Sequence, residues 1–372
     1  MKRLLAVSIG ALALAVPASQ AGAPRPDARA WLVENAATGE VLTAHAAAAR
    51  VPIASITKLM TVLVTLEHAK LGDVVTVSRR TSQVGESTIN LRPGERLTVR
   101  ELIEAALIQS ANDAAEALAE HVGGGSVGRF VAMMNAKARA LGLAHTHFAN
   151  PSGLDAAGHY SSARDVTELA LVAMRKPIVR RTVRRRTATA AGRTLATWDD
   201  LLGRFPGLIG VKTGHTALAG WSQVAAARGR GVTVYATVLG SPTREGRNDD
   251  LAELLSWGLS RYRVVAAVDA GRVYATATTG YGRGPVRLIA ERPLRRAVLV
   301  GRPLVERVVA PSVVALPVRE GQRLGVVRVY SLGRLLGERP LVAADSVSAP
   351  SLGGKLSWYA KRTVTNAWGL VT

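Results

Sequence analysis

Cysteine is absent from all 372 residues. That excludes thiolate catalysis, cysteine metal sites and disulfide staples. A chain of this length can form one large core and a smaller one without staples, so the absence is compatible with export but does not demonstrate it. Lysine is also scarce, with 8 lysines against 40 arginines among the 48 cationic residues. Charged residues make up only 20% against 48% hydrophobic, which argues against wholesale disorder. The first apolar run, Leu4 to Val16, is shorter than the roughly 20 residues a bilayer span requires. Histidines and carboxylates do not cluster at ligand spacing, so neither a metal nor another cofactor is expected.

Around these absences the sequence carries recognisable segments. Lys2 and Arg3, the apolar run and Ser19-Gln20-Ala21 have the three-part layout of a secretory leader. Cleavage is expected after Ala21, with Ala23 as the alternative, and a retained membrane anchor is the competing reading. The formal charge of +21 would suit nucleic acid, but the arginine excess is spread over the whole chain and export removes that partner. Anionic headgroups and wall polymers remain. The densest basic run, Arg180, Arg181, Arg184, Arg185 and Arg186, reads as a solvated strand or loop face.

The organisation is expected to be a leader over 1–21, a large domain over 28–262, a smaller one over 263–346 and a tail over 347–372. Trp31 to Leu42 alternates as a β-hairpin. Ser55 to Ala69 has helical spacing with Ser55 placed as a cap. Thr98-Val99-Arg100-Glu101 is a capping box opening a second helix. Further helices are expected over 112–121, 130–141, 163–174 and 251–257. Strands are expected over 208–212, 220–227 and 232–239, the last two joined through Arg228-Gly229-Arg230-Gly231. With strands at both ends and helices between, one antiparallel sheet should bring the first and last strands together. From Arg263 to Asp345 short β-branched runs separated by Gly and Pro indicate a small all-β domain. The tail after Pro350 mixes Leu356, Trp358, Tyr359 and Trp368 with Lys355, Lys361 and Arg362 and has no acidic residue. An amphipathic helix in a membrane interface is expected there, with docking on the protein's own surface as the alternative.

The chemistry lies in three short motifs. Ser55-Ile56-Thr57-Lys58 puts a hydroxyl and an amine one helical turn apart, so a neutral lysine can take the serine proton. Arginine could not, because it stays protonated, which makes a lysine here informative in so arginine-rich a chain. Alone the spacing is weak, arising by chance in roughly every second sequence of this composition. Ser110-Ala111-Asn112 offers a second hydroxyl and an amide, and by itself is equally well a helix-junction cap. Lys212-Thr213-Gly214 ends an apolar strand and is rarer, about once in twenty such chains. There a cation, a hydroxyl and a close backbone approach face a strand edge with which an extended peptide can pair.

S-x-x-K, S-x-N and K-T-G in this order resemble the signature of penicillin-binding proteins and serine β-lactamases. The wider stretches Ala54 to Met60, Gln109 to Ala114, Gly153 to Asp155, Tyr160 to Asp165 and Gly210 to Thr216 are similar to the low-molecular-mass D-alanyl-D-alanine carboxypeptidases, over about residues 30–262. The resemblance implies an α+β fold, with an antiparallel sheet and a helical subdomain followed by a small β-sandwich-like domain and an amphipathic C-terminal helix. It implies Ser55 as nucleophile toward peptidoglycan stem peptides ending in D-Ala-D-Ala, with Lys58 as base. Ser110 and Lys212 would complete the proton path and Asn112 would hold the substrate backbone. The backbone N–H groups of Ser55 and His215 would form the oxyanion hole, Thr213 and Arg247 would bind the terminal carboxylate, and Gly214, through its close backbone approach, would join the substrate-binding residues. β-Lactams would be covalent inhibitors, and the enzyme would work at the outer face of the cytoplasmic membrane.

Two features set the chain apart within this picture. Thr197-Trp198-Asp199-Asp200 precedes two leucines where relatives usually carry asparagines. Glu168 has Val172 four residues on, so the deacylating Glu and Asn of a class A β-lactamase are absent. A non-catalytic wall-binding protein is the reading from another class, and three intact motifs argue against it.

Overall fold

The computed structural model describes residues 5–12 and 22–368. The cleavage sequence at 19–21 lies outside the described residues. The chain divides into two units, one over 21–261 and one formed by 1–20 with 262–372.

The first unit is built around a five-stranded antiparallel sheet. Its strands are β1 (Ala30–Asn35), β2 (Val41–His45), β3 (Leu208–Thr216), β4 (Gly220–Gly229) and β5 (Val232–Ser241), in the spatial order β2-β1-β5-β4-β3. The first and last strands are therefore neighbours, as the pattern of strands at both ends requires. β3 pairs only with β4 and forms an edge of the sheet.

Between β2 and β3 lie α1 (Lys58–His68), α2 (Val99–Ile108), α3 (Asn112–Val122), α4 (Val127–Ala140), α5 (Ala163–Met174) and α6 (Pro177–Thr182), and α7 (Arg244–Ser260) follows β5. In α1 every residue from Lys58 to Thr65 is buried, on all faces of the helix. A helix buried all round belongs at the centre of a core. α1 accordingly packs with α3, α4 and α5, in one cluster with Leu32, Phe130 and Phe148. Thr98 and Glu101 form the reciprocal capping box expected from the sequence.

Four local expectations change. Ser55 is not a side-chain cap, because a 3-10 turn over Ala54–Thr57 precedes α1 and holds Ser55 inside it. Lys212-Thr213-Gly214 does not end its strand, since pairing with Gln223 and Ser222 carries β3 on to Thr216. The helix expected over 251–257 starts at Arg244, capped by the Thr243 hydroxyl on Gly246 N–H. Arg180 and Arg181 sit in α6 rather than in a strand or loop, and Arg180 caps the end of α5 through the carbonyls of Met174 and Arg175.

The second unit is β-rich. One sheet takes Leu304–Pro311, Arg323–Ser331, Arg334–Ala343, Val286–Ala290 and Val273–Thr279, while Tyr262–Val268 pairs with Leu294–Leu299. Alternating burial along Leu304–Pro311 places Leu304, Glu306, Val308 and Ala310 on the inner face. Leu5–Leu12, within the leader-like segment, runs antiparallel to that strand. The tail forms α8 (Leu352–Trp368). Trp358 and Tyr359 pack edge-on against Tyr281, while Leu352 and Leu356 are 80% and 71% exposed. Among the described residues no helix is long and apolar enough to cross a membrane.

Candidate active site

The three motifs converge on one cleft. Ser55, Ser110, Asn112, Thr213, Gly214, His215 and Arg247 line a cavity of about 410 Å³, with Lys58 and Lys212 buried at its base. Each motif comes from a different part of the fold. Ser55 sits in the turn before α1, Ser110 adopts a left-handed φ of 63° where α2 gives way to α3, and Lys212 lies on edge strand β3.

Lys58 is fully buried, and its Nζ lies 2.7 Å from each of three acceptors: Ser55 Oγ, Asn112 Oδ1 and the Ser152 carbonyl. Burial, then the neighbouring Lys212 charge, pull its pKa well below the ordinary lysine value, against the opposing charges of Glu116, Glu86 and Asp113. A neutral amine donates two hydrogen bonds and accepts one. The amide and carbonyl oxygens can only accept, so the lone pair is left facing the Ser55 hydroxyl. That is the arrangement of a nucleophile with its base. The Asn112 amide is oriented by Nδ2, which donates to the Gly85 carbonyl at 3.0 Å and keeps one N–H in reserve.

Lys212 donates to Ser110 Oγ and to the Thr213 carbonyl, both at 2.9 Å. Burial lowers its pKa to about 7, with Asp199 opposing and Arg247 assisting. A second lysine and serine pair thus lies beside the first, with an amine that exchanges its proton near neutral pH.

The strand carrying Lys212 comes very close to the turn that holds Ser55. A Cβ on Gly214 would stand 2.7 Å from the Ile53 carbonyl and 3.2 Å from Ser55 N, so glycine is required by space at this point. Gly153 is held the same way from the other side, with φ +89° and no room for a Cβ against the Ala54 carbonyl.

Arg247, in the first turn of α7, is only 1% exposed and donates to Asp200 and Asn248. Asp200 also accepts from Arg244 and from Asn248. Burial raises its carboxyl pKa, but the bonds from Arg244 and Asn248 outweigh that and leave it lowered. Asp199 beside it is 8% exposed and is pushed up by burial. The motif departing from the usual asparagines therefore builds a charged support under Arg247.

Several participants escaped the sequence reading. Trp221 stacks on the His215 ring at 4.0 Å, and Trp198 donates to the Gln109 carbonyl; both line the cleft. Glu86 and Ser87 reach it from the loop before α2. Their only signal was position near other motifs in space, which one sequence does not record. His159, six percent exposed, accepts from Ala149 N–H at Nδ1 and so donates from Nε2 to Thr57 Oγ1 at 2.7 Å, in the turn that holds Ser55. Among the described residues no group of three or more His, Asp or Glu could hold a metal ion.

Residues 17–243 match the family model described as D-alanyl-D-alanine carboxypeptidase. The chain is 31% identical over 357 residues to the D-alanyl-D-alanine carboxypeptidase DacD of Salmonella typhimurium, covering 91% of each. It is also 31% identical to DacF of Bacillus subtilis over 83% of each chain. Among solved structures, penicillin-binding protein 5 of Haemophilus influenzae superposes with a TM-score of 0.65 at 26% identity, over 88% of this chain and 99% of that one. The Streptomyces K15 DD-transpeptidase superposes at 0.61 with 33% identity, over 64% of this chain and 98% of that one. The chain therefore belongs to the D-alanyl-D-alanine carboxypeptidases, serine-type peptidases of the low-molecular-mass penicillin-binding class. It has their α+β fold and acts in peptidoglycan metabolism.

Proposed function

We propose that Ser55 attacks the carbonyl between the two terminal D-alanines of a peptidoglycan stem peptide, releasing D-alanine and leaving an acyl-enzyme that water hydrolyses. The observation carrying this is the geometry around Lys58, whose two fixed acceptors leave its lone pair for the Ser55 proton. Lys58 receives that proton, and the Ser110 and Lys212 pair passes one to the leaving amine. The substrate backbone extends the sheet along β3, the edge strand that carries Lys212, with Asn112 on the other flank. Backbone N–H groups of Ser55 and His215 receive the oxyanion, a contribution typically of a few kcal/mol. Thr213 and Arg247 take the terminal carboxylate, while Gly214 keeps strand and nucleophile in contact. β-Lactams acylate the same serine.

Export with loss of residues 1–21 and action at the outer face of the cytoplasmic membrane are part of the same proposal. The leader-like composition supports the first, and the exposed Leu352 and Leu356 of α8 beside Lys355 support the second. The test is release of D-alanine from a pentapeptide stem by residues 22–372 beside the Ser55→Ala variant. Steady release that disappears in the variant is the expected result; release that persists would remove Ser55 from the mechanism.

A further inference from the structure

Two formally charged side chains stand on the cleft wall, Arg247 and Glu86. The proposed reaction gives Arg247 a partner, the substrate's terminal carboxylate, but gives Glu86 none. Glu86 is exposed, and among the described residues no ion pair or hydrogen bond engages its carboxylate.

The loop invests structure in holding it there. Glu86 has φ +62°, a left-handed conformation that glycine adopts freely and a residue with a side chain does not. Asn112 anchors the residues on both sides of it, its Nδ2 donating to the Gly85 carbonyl and its backbone N–H to the Ser87 carbonyl at 2.7 Å. Further along, the Asp113 carboxylate receives the N–H groups of Ile89 and Leu91. An exposed carboxylate held on the cleft wall by a backbone conformation its neighbours over-determine is placed to meet a cationic group of a ligand.

We infer that Glu86 is a specificity residue that binds the terminal ammonium of a diamino acid immediately preceding the two D-alanines of the stem peptide. This rests on the carboxypeptidase reading above. With the substrate's carboxylate at Arg247 and its scissile carbonyl at Ser55, the next residue lies beyond Ser55 along the peptide. Its backbone there meets Asn112, the residue that anchors Glu86. A long side chain ending in a cation reaches a carboxylate so placed, and a charge-assisted hydrogen bond forms. The bound ammonium also offsets the Glu86 charge, which otherwise favours the protonated form of Lys58.

The experiment compares two pentapeptides that differ only at the third residue, lysine with a free ε-amine and Nε-acetyl-lysine, using the full chain and following D-alanine release. The wild-type protein is expected to favour the free amine by roughly tenfold in kcat/KM. Glu86→Gln brings that ratio close to one, and Glu86→Asp retains part of it. A wild-type ratio near one, or a Glu86→Gln protein slowed equally on both peptides, would overturn the inference. The second outcome would make Glu86 a modulator of Lys58 alone. No release from either peptide by folded wild-type protein would instead remove the carboxypeptidase reading, and this inference with it.

Discussion

Arg247 donates from Nη2 to the Asp200 carboxylate at 3.0 Å while only 1% exposed, so this cation of the cleft wall is held in place by the fold. Asp200 also accepts from Arg244, and both guanidinium groups lie within 6 Å of the Trp221 ring that stacks on His215. One carboxylate thus supports a cation and an aromatic wall together.

Asp200→Asn keeps one acceptor oxygen, turns the other into an N–H donor and loses the charge. The expected outcome is a KM for D-Ala-D-Ala peptides raised roughly fivefold, with kcat changed less than twofold, because a charge-assisted bond becomes a neutral one. Arg247→Gln should raise KM further. Steady-state kinetics on both variants checks this, and an equal fall in kcat would place Asp200 in the chemical step instead.

Lys58→Ala removes the proposed base without adding a buried charge. The variant is expected to fold, as read by circular dichroism, and to lose acylation by a fluorescent penicillin by about a thousandfold or more. Acylation at the wild-type rate would leave Ser55 activated by some other group.

His159 is held neutral by burial, which lowers its pKa to about 4 from an ordinary 6.5. Between those values the unfolded chain binds a proton that the folded chain does not. Stability therefore rises with pH across this window and is lost as pH falls from about 6.5 toward 4. The full effect is about 3 kcal/mol. Urea titrations of the wild type at pH 7 and pH 4.5, beside His159→Gln, measure it. The variant should lose most of this pH dependence, and an unchanged slope would mean that another group carries it.

Gly214→Ala places a methyl group 2.7 Å from the Ile53 carbonyl and 3.2 Å from Ser55 N. Backbone cannot yield as a side-chain tip can, so β3 must move away from the turn that holds Ser55. Penicillin acylation should slow by about tenfold or more, since displacements of an ångström misplace reacting groups. Gly128→Ala, in α4 with open space around it, is the control and should leave acylation unchanged.

Much of the fold was legible because periodicity reports it directly. The capping box at Thr98, the helix over 163–174 and the neighbouring first and last strands stand where the pattern puts them. Boundaries were less legible where tertiary contacts decide them. β3 runs four residues past Lys212 because β4 is there to pair with it, and α7 begins at Arg244 although its apolar residues start only at Leu251. The first turn of that helix is polar because it faces Asp200, which no spacing rule could indicate.

The sequence by itself determined the reactive groups and their local order. A serine and a lysine at i and i+3 must be neighbours in a helical turn, and the glycine that closes Lys212-Thr213-Gly214 permits close backbone approach. Only the tertiary structure decided what those groups are able to do. It excluded water around Lys58 and brought up Lys212, and these lower the amine's pKa. It also supplied the Ser152 carbonyl, 94 residues away, as the acceptor that turns the lone pair toward Ser55. Burial and long-range hydrogen bonds depend on atoms distant in sequence, so the chemistry of the site is a property of the folded chain.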